Sequence, residues 1–267
     1  MNPPNPGNSA STIAEAQYQN TTKNLERRIA IYKYSTNPQS WLSFVASHIS
    51  PVLGTSPKIL DVGAGTGELW KNVSFTSSAD LTLADFSSAM CSKLQDLEVP
   101  NAHVNVVQCD AAKIPFEDGS FDILVATNLL HHVESPPACI AEFARVLKPG
   151  ASVFISATSR DSSVNGLYGL SRKIGRTQSA GTFSKHTTES AVEEMERYFR
   201  GVRKESYAAS LEVPGLEPVL DYLETLPGGV LTEEERKLAT DIVGKEIAEN
   251  GSFTVHNSSD LVIGINS

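Results

Sequence analysis

Asp61-Val62-Gly63-Ala64-Gly65-Thr66-Gly67 follows the short apolar run Lys58-Ile59-Leu60 and leads into Glu68-Leu69-Trp70. The apolar run reads as a buried strand and the residues after the glycines as the start of a helix. Glycine permits positive φ and leaves no Cβ between the chain and a ligand. A helix start adds unpaired backbone N–H groups. Strand, glycine turn and helix start together make a cradle for a small molecule.

The spacing narrows the ligand. A dinucleotide fingerprint places its third glycine three residues after the second, beside a pyrophosphate. Here the pattern is Gly63-x-Gly65-x-Gly67, and the later position is Glu68. An acid at a helix N-terminus repels a pyrophosphate, which disfavours a nicotinamide enzyme. A ligand with a cationic centre and a zwitterionic tail meets no such repulsion. Taken alone, the loop also reads as an ordinary tight turn.

Three further segments support the ligand reading. Leu81 to Phe86 reads as a second buried strand ending in an acid, about twenty residues past the loop, where a ribose-binding carboxylate belongs. Asp85 would accept from both ribose hydroxyls, each charge-assisted bond being worth about 1.5–3 kcal/mol. A helix cap is the competing role, because Ser87 and Ser88 follow. Val104 to Ala111 reads as a third strand with another acid, Asp110, near its end. Phe121 to Asn128 is a fourth, opening into Leu129-Leu130-His131-His132-Val133.

At this point the chain resembles the class I S-adenosylmethionine-dependent methyltransferases. The matching segments are Ile59 to Gly67, Ala84-Asp85-Phe86-Ser87, Cys109-Asp110-Ala111, Phe121-Asp122-Ile123-Leu124 and Arg145-Val146-Leu147-Lys148-Pro149-Gly150, in the family's order, over roughly residues 58 to 158. The Leu-His-His-Val and Arg-Val-Leu-Lys-Pro-Gly pieces are similar to the branch that methylates quinones, sterols and other small metabolites. The resemblance implies an enzyme with S-adenosyl-L-methionine as cofactor. It places Asp61, Gly63, Gly65 and Gly67 at the methionine part, Asp85 at the ribose and Phe86 beside the adenine. Asp110 and Ala111 would meet the adenine amino group, and Asn128 and Leu129 would lie near the sulfonium. The expected fold is a Rossmann-like, doubly wound α/β domain, its seven-stranded sheet mostly parallel with an antiparallel C-terminal strand, plus helical lid elements.

Composition sets limits. A formal net charge of −9 over 267 residues argues against broad nucleic-acid binding, which neutralises phosphates with Lys and Arg. Thr127-Asn128-Leu129-Leu130 also lacks the Asn-Pro-Pro-aromatic run that resembles methyltransferases of bases or glutamine. Cys91, Cys109 and Cys139 have no paired spacing, so neither a disulfide framework nor a metal site is expected. No apolar run approaches membrane-spanning length, and a cytoplasmic protein is expected.

Residues 1–12 read as disordered and 13–50 as lid helices, with Trp41, Phe44, Val45 and Ile49 at helical spacing. Residues 51–267 form the core, with insertions at about 159–186 and 214–250. The first carries Arg160, Arg172, Lys173, Arg176 and Lys185 against Asp161. It reads either as a flap over an anionic substrate or as a solvated loop. In the second, Thr232 and Glu235 signal a capping box before Leu238, Ile242 and Ile247. Phe253 to Ile265 closes the chain as a strand or hairpin, with Asn257-Ser258-Ser259-Asp260 as its turn or bulge. Arg28, Tyr32, Tyr34 and Trp41 are either lid contacts or plain core.

The small-molecule chemistry implied needs alignment above all. Effective molarity supplies about 7–11 kcal/mol, against about 3–5 kcal/mol for a general base. His131 and His132, at the carboxyl edge of the fourth strand, are the candidate base. The alternative is that one caps the helix near Glu134-Ser135-Pro136 and the other packs under the cofactor. A cyclase or non-catalytic cofactor-binding partner is the other functional class the fold allows.

Overall fold

The computed structural model describes residues 23–158, 166–176, 187–226 and 228–267. The expected disorder at 1–12, the start of the first lid helix, and Arg160, Asp161 and Lys185 lie outside the described residues. Strands β1 (Lys58–Val62), β2 (Ala79–Asp85) and β4 (Phe121–Ala126) bury nearly every residue, as parallel strands covered on both faces must. With β3 (Ala102–Gln108), β5 (Leu147–Thr158), β6 (Phe199–Val213) and β7 (Phe253–Asn266) they form one seven-stranded sheet of order β3-β2-β1-β4-β5-β7-β6. Pairings from β3 through β5 are parallel, and β7 alone runs against its neighbours β5 and β6. The strand order reverses between β1 and β4, and such a switch point opens the crevice where α/β sheets bind ligands.

The described α-helices are α1 (Lys23–Ala30), α2 (Trp41–Ile49), α3 (Ser88–Leu94), α4 (Pro136–Val146), α5 (Leu167–Lys173), α6 (Thr188–Met195), α7 (Glu217–Glu224) and α8 (Glu233–Asn250). Strand alternation sorts the core into two faces. Leu60 and Val62 pack with Phe143 of α4 and Met195 of α6, whereas Ile59 packs with Val45 and Ile49 of α2 and Leu94 of α3. Local signals set several helix starts. Ser40 and Ser87 cap α2 and α3 through their hydroxyls, and Thr232 with Glu235 forms the expected capping box of α8.

Three expectations need correction. Glu68-Leu69-Trp70 lies in a 3-10 helix, Glu68–Asn72, and not in an α-helix. Its indole reaches back so that Trp70 Nε1 donates to Asp61 Oδ2 at 2.8 Å, holding the segment in a tight turn. Asn257 to Asp260 is no turn, because β7 runs straight through it in register with Ser206 to Ala209 of β6. The buried Asp260 carboxylate accepts from the hydroxyls of Thr188 and Ser206, both at 2.7 Å, so its polarity is satisfied inside the fold. In α8 the buried face carries Ala239 and Val243, while Leu238 is 39 % exposed.

Strands β6 and β7 outrun the rest of the sheet. β5 pairs with β7 from Ser259 onward, and residues 253–258 pair with β6 alone. Leu211, Val213, Phe253 and Val255 on this arm gather Leu170 of α5, Val219 and Leu223 of α7 and Ile31 into a third apolar cluster. The N-terminal segment joins the same arm through a bridge between Ser35 and Leu211.

Arg176 belongs to this assembly and not to a basic flap. It is 5 % exposed, donates to the carbonyls of Leu223, Gly229 and Val230, and pairs with Glu235 at 3.0 Å. Its charge is used to pin the end of α5 to the α7–α8 connection. Replacing Arg176 with Ala strands those carbonyls and should lower the unfolding free energy by about 2–3 kcal/mol, read by urea denaturation.

Candidate active site

A cavity of about 810 Å³ lies over the carboxyl ends of β1, β2 and β4. Its floor is built from the turns after those strands. Gly63 and Gly65 both lie at positive φ (74° and 57°), and a Cβ on Gly63 would sit 2.9 Å from Leu129 Cδ1. The turn is therefore pressed against the residues after β4, and Gly63 leaves room for that approach. Gly67 shares the left-handed backbone but lies outside the cavity lining. A Cβ there would meet Leu97 and Leu94 at 2.5 and 2.9 Å, so Gly67 allows close packing against the end of α3 and the residues after it.

Asp61 is 2 % exposed and lines the cavity. Oδ2 is held by Trp70, while Oδ1 makes no hydrogen bond among the described residues. Burial, with a contribution from the charge on Asp85, pushes its carboxyl up to about 7 despite the indole bond. Asp85 ends β2. Its Oδ2 accepts from the Gly65 N–H and its Oδ1 from the Ser87 N–H, both at 2.9 Å. Burial raises its carboxyl, and these N–H groups oppose the rise. The cap of α3 is Ser87, so Asp85 is released from that competing role.

Phe86, Asp110 and Ala111 also line the cavity. Phe86 is 43 % exposed, and Asp110 turns its Oδ1 onto the Ala112 N–H at 2.9 Å. Asn128 sits in the left-handed region (φ 55°), its N–H donating to Ser156 Oγ, and presents itself beside Leu129 at the same floor. His131 and His132 follow, their ring centroids 4.0 Å apart. The cap position of α4 is Ser135, so the capping role weighed for a histidine is not observed. Burial, then the charge of Arg28, holds His132 down to about 3.

The roof comes from elements distant in sequence: Arg28, Tyr32 and Trp41 from the N-terminal helices, Tyr168 from α5, Tyr207 from β6 and Tyr222 from α7. Arg28 is 8 % exposed and anchored on the hydroxyl and carbonyl of Thr225. Tyr34 packs with the roof's apolar cluster outside the lining. Sequence reasoning missed Tyr168 and Tyr207. The only signal for Tyr207 was its place in an alternating strand pattern. Polarity is segregated: Asp61, Glu68, Asp85 and Asp110 line the floor, and Arg28 is the one Arg or Lys among the described lining residues.

Residues 60–155 match the family model described as a methyltransferase domain. The stretch from β1 into β5 is therefore similar to a methyltransferase domain. A demethylmenaquinone methyltransferase of Clavibacter sepedonicus is 34 % identical over 119 residues, 45 % of this chain and 47 % of that protein. A ubiquinone/menaquinone biosynthesis C-methyltransferase of Shewanella pealeana is 36 % identical over 109 residues, 39 % and 43 % of the two chains. The match thus spans less than half the length of these relatives. In structure, the phosphoethanolamine N-methyltransferase 2 of Haemonchus contortus in complex with S-adenosyl-L-methionine aligns with a TM-score of 0.59 at 17 % identity. That alignment covers 97 % of this chain and 60 % of that one and speaks to fold alone. The matched residues end within β5, and the β6–β7 arm and the roof lie outside them.

One pH effect follows from the neutral His132. The unfolded chain protonates this residue near the usual 6.5, whereas the folded chain does so only near 3. The unfolded state therefore binds more protons between those values, and stability is lost as pH falls from about 6.5 toward 3. A His132→Asn variant should escape this loss and gain on the parent by about 1.4 kcal/mol per pH unit below about 6, measured by urea unfolding at pH 7, 6 and 5.

Proposed function

We propose that this protein transfers the methyl group of S-adenosyl-L-methionine to an oxygen, nitrogen, sulfur or carbon of a small-molecule acceptor. The observation that carries the reading is the buried Asp61 and the part-buried Asp85, at the ends of adjacent strands around a glycine turn that leaves the ligand room. Asp61 keeps one oxygen without a partner among the described residues, which suits an ammonium. Asp85, fixed by two N–H groups, retains lone pairs for ribose hydroxyls. The acidic floor suits a cation and opposes a pyrophosphate. When bound, the cofactor supplies an electrophilic methyl group on a sulfonium.

The chain's own contribution is alignment and exclusion of water. Gly63 and Leu129 fix the floor, and Tyr32, Tyr168, Tyr207 and Tyr222 line the cavity above it. Effective molarity from such alignment is worth about 7–11 kcal/mol, more than a base supplies. His132 is a poor base, because an efficient one titrates near the working pH. His131 is the remaining candidate for taking a proton from an acidic acceptor group. Cytoplasmic operation without a nucleic-acid partner belongs to the same reading. It is supported by the net charge of −9 and by the absence, among described residues, of a helix able to cross a membrane.

The purified protein should bind S-adenosylhomocysteine in a calorimeter, and Asp85→Ala should weaken that binding at least about tenfold. No affinity in the folded parent would end the proposal. Transfer of labelled methyl to a metabolite extract separates methyl transfer from a cyclase or a non-catalytic partner. In that assay His131→Ala should lose about 10²–10⁴ in turnover at saturating cofactor; a loss under about tenfold removes the base.

A further inference from the structure

Among the described residues, two buried side-chain polar atoms make no hydrogen bond within the protein: Trp41 Nε1 and Asp61 Oδ1. Both residues line the same cavity. The two atoms have opposite requirements. An indole N–H can only donate, and an ionised carboxylate can only accept. A buried polar group left without a partner is destabilising, so each atom marks a point in the lining of this cavity where a ligand group of the opposite kind belongs.

The position of Trp41 says which end of the ligand this is. Trp41 opens α2, and α2 lies on the 3-10 turn that follows the glycines. Ser43 Oγ donates to Asn72 Oδ1 at 2.9 Å, and Asn72 Nδ2 donates to the Glu68 carbonyl at 3.0 Å. Trp41 packs against the core cluster that also takes Ala64 and Leu69, the residues around the glycine turn. Its ring is held by Phe44, with centroids 5.7 Å apart, and by the edge of Tyr207 at 5.4 Å. The indole is thus a fixed donor in the cavity lining, restrained by packing on two sides.

Resting on the methyl-transfer reading above, we infer that Trp41 is a positioning residue for the cofactor, its indole N–H donating to the α-carboxylate of the methionine tail while Asp61 Oδ1 takes the α-ammonium. A zwitterionic amino-acid tail is the chemistry that satisfies one fixed donor and one fixed acceptor together. Trp41 then couples cofactor binding to the placement of α2 and, through Tyr207, to the roof.

The test compares ligands with and without the tail. Trp41→Phe keeps the stacking and removes the donor. In calorimetry it should lose about 10- to 100-fold in affinity for S-adenosylhomocysteine and less than about twofold for 5′-methylthioadenosine, which lacks the amino-acid tail. Unchanged S-adenosylhomocysteine binding, or equal losses for both ligands, overturns the inference. A second measurement needs no variant. The chain has two tryptophans, and Trp70 is already bonded to Asp61, so it serves as internal reference. In ¹⁵N-labelled parent protein the Trp41 indole proton should move downfield with S-adenosylhomocysteine. It should stay in place with S-adenosyl-3-thiopropylamine, which lacks the carboxylate. Binding of S-adenosylhomocysteine with the Trp41 signal unmoved sinks this inference alone; no binding at all sinks the methyl-transfer reading with it.

Discussion

The Asp85 carboxylate joins two turns that would otherwise be independent. One oxygen takes the Gly65 N–H at the end of β1, the other the Ser87 N–H at the start of α3, and the backbone N–H groups of Gly63 and Ala64 donate to the Ala84 carbonyl just before it. The glycine turn is therefore held to the end of β2 by three hydrogen bonds along one short edge, and the fourth fixes the start of α3 to the same carboxylate. Everything on the floor inherits its position from this junction: Leu129 stands against Gly63, and Asp61 is buried behind it. A residue described as a ligand group by its spacing is also the brace that gives the ligand site its shape.

The two histidine rings and the two floor carboxylates show how burial divides electrostatic roles. Asp61 is pushed toward neutrality while His132 is kept uncharged, so the cavity's fixed charge is smaller than its composition implies. A cationic ligand group near Asp61 Oδ1 favours the ionised carboxylate, and ligand binding in the neighbourhood of pH 7 is then coupled to proton release at that residue. On the other wall the guanidinium of Arg28 discourages a second positive charge at His132, leaving a neutral, half-buried imidazole to shape the space.

The floor was legible in the sequence because its determinants are local. Continuous apolar runs named β1, β2 and β4, glycine spacing named the turn, and the distance from Gly65 to Asp85 named the second carboxylate. The limits were equally physical. Glu68 to Trp70 has ordinary helical composition, and only the indole bond back to Asp61 shows why the segment stays a 3-10 turn. Gly67 matches the motif, and the crowding by Leu94 and Leu97, which the sequence does not reveal, adds a packing reason for a glycine there. Arg176 looked like surface charge since its partners, backbone carbonyls and Glu235, lie 47 to 59 residues away. Serine-rich Asn257 to Asp260 resembled a turn because the hydroxyls that satisfy Asp260 come from β6 and α6.

The β6–β7 arm gives the roof an apolar cluster that shares no member with the two clusters flanking the sheet. Substitutions in one packing unit therefore perturb the other weakly, since couplings fade between groups without common neighbours. Such a chain is a chassis with an exchangeable upper storey. Leu211, Tyr222 and Val255 line the cavity from this upper storey, so repacking there can reshape the space above the floor while the floor itself stays fixed.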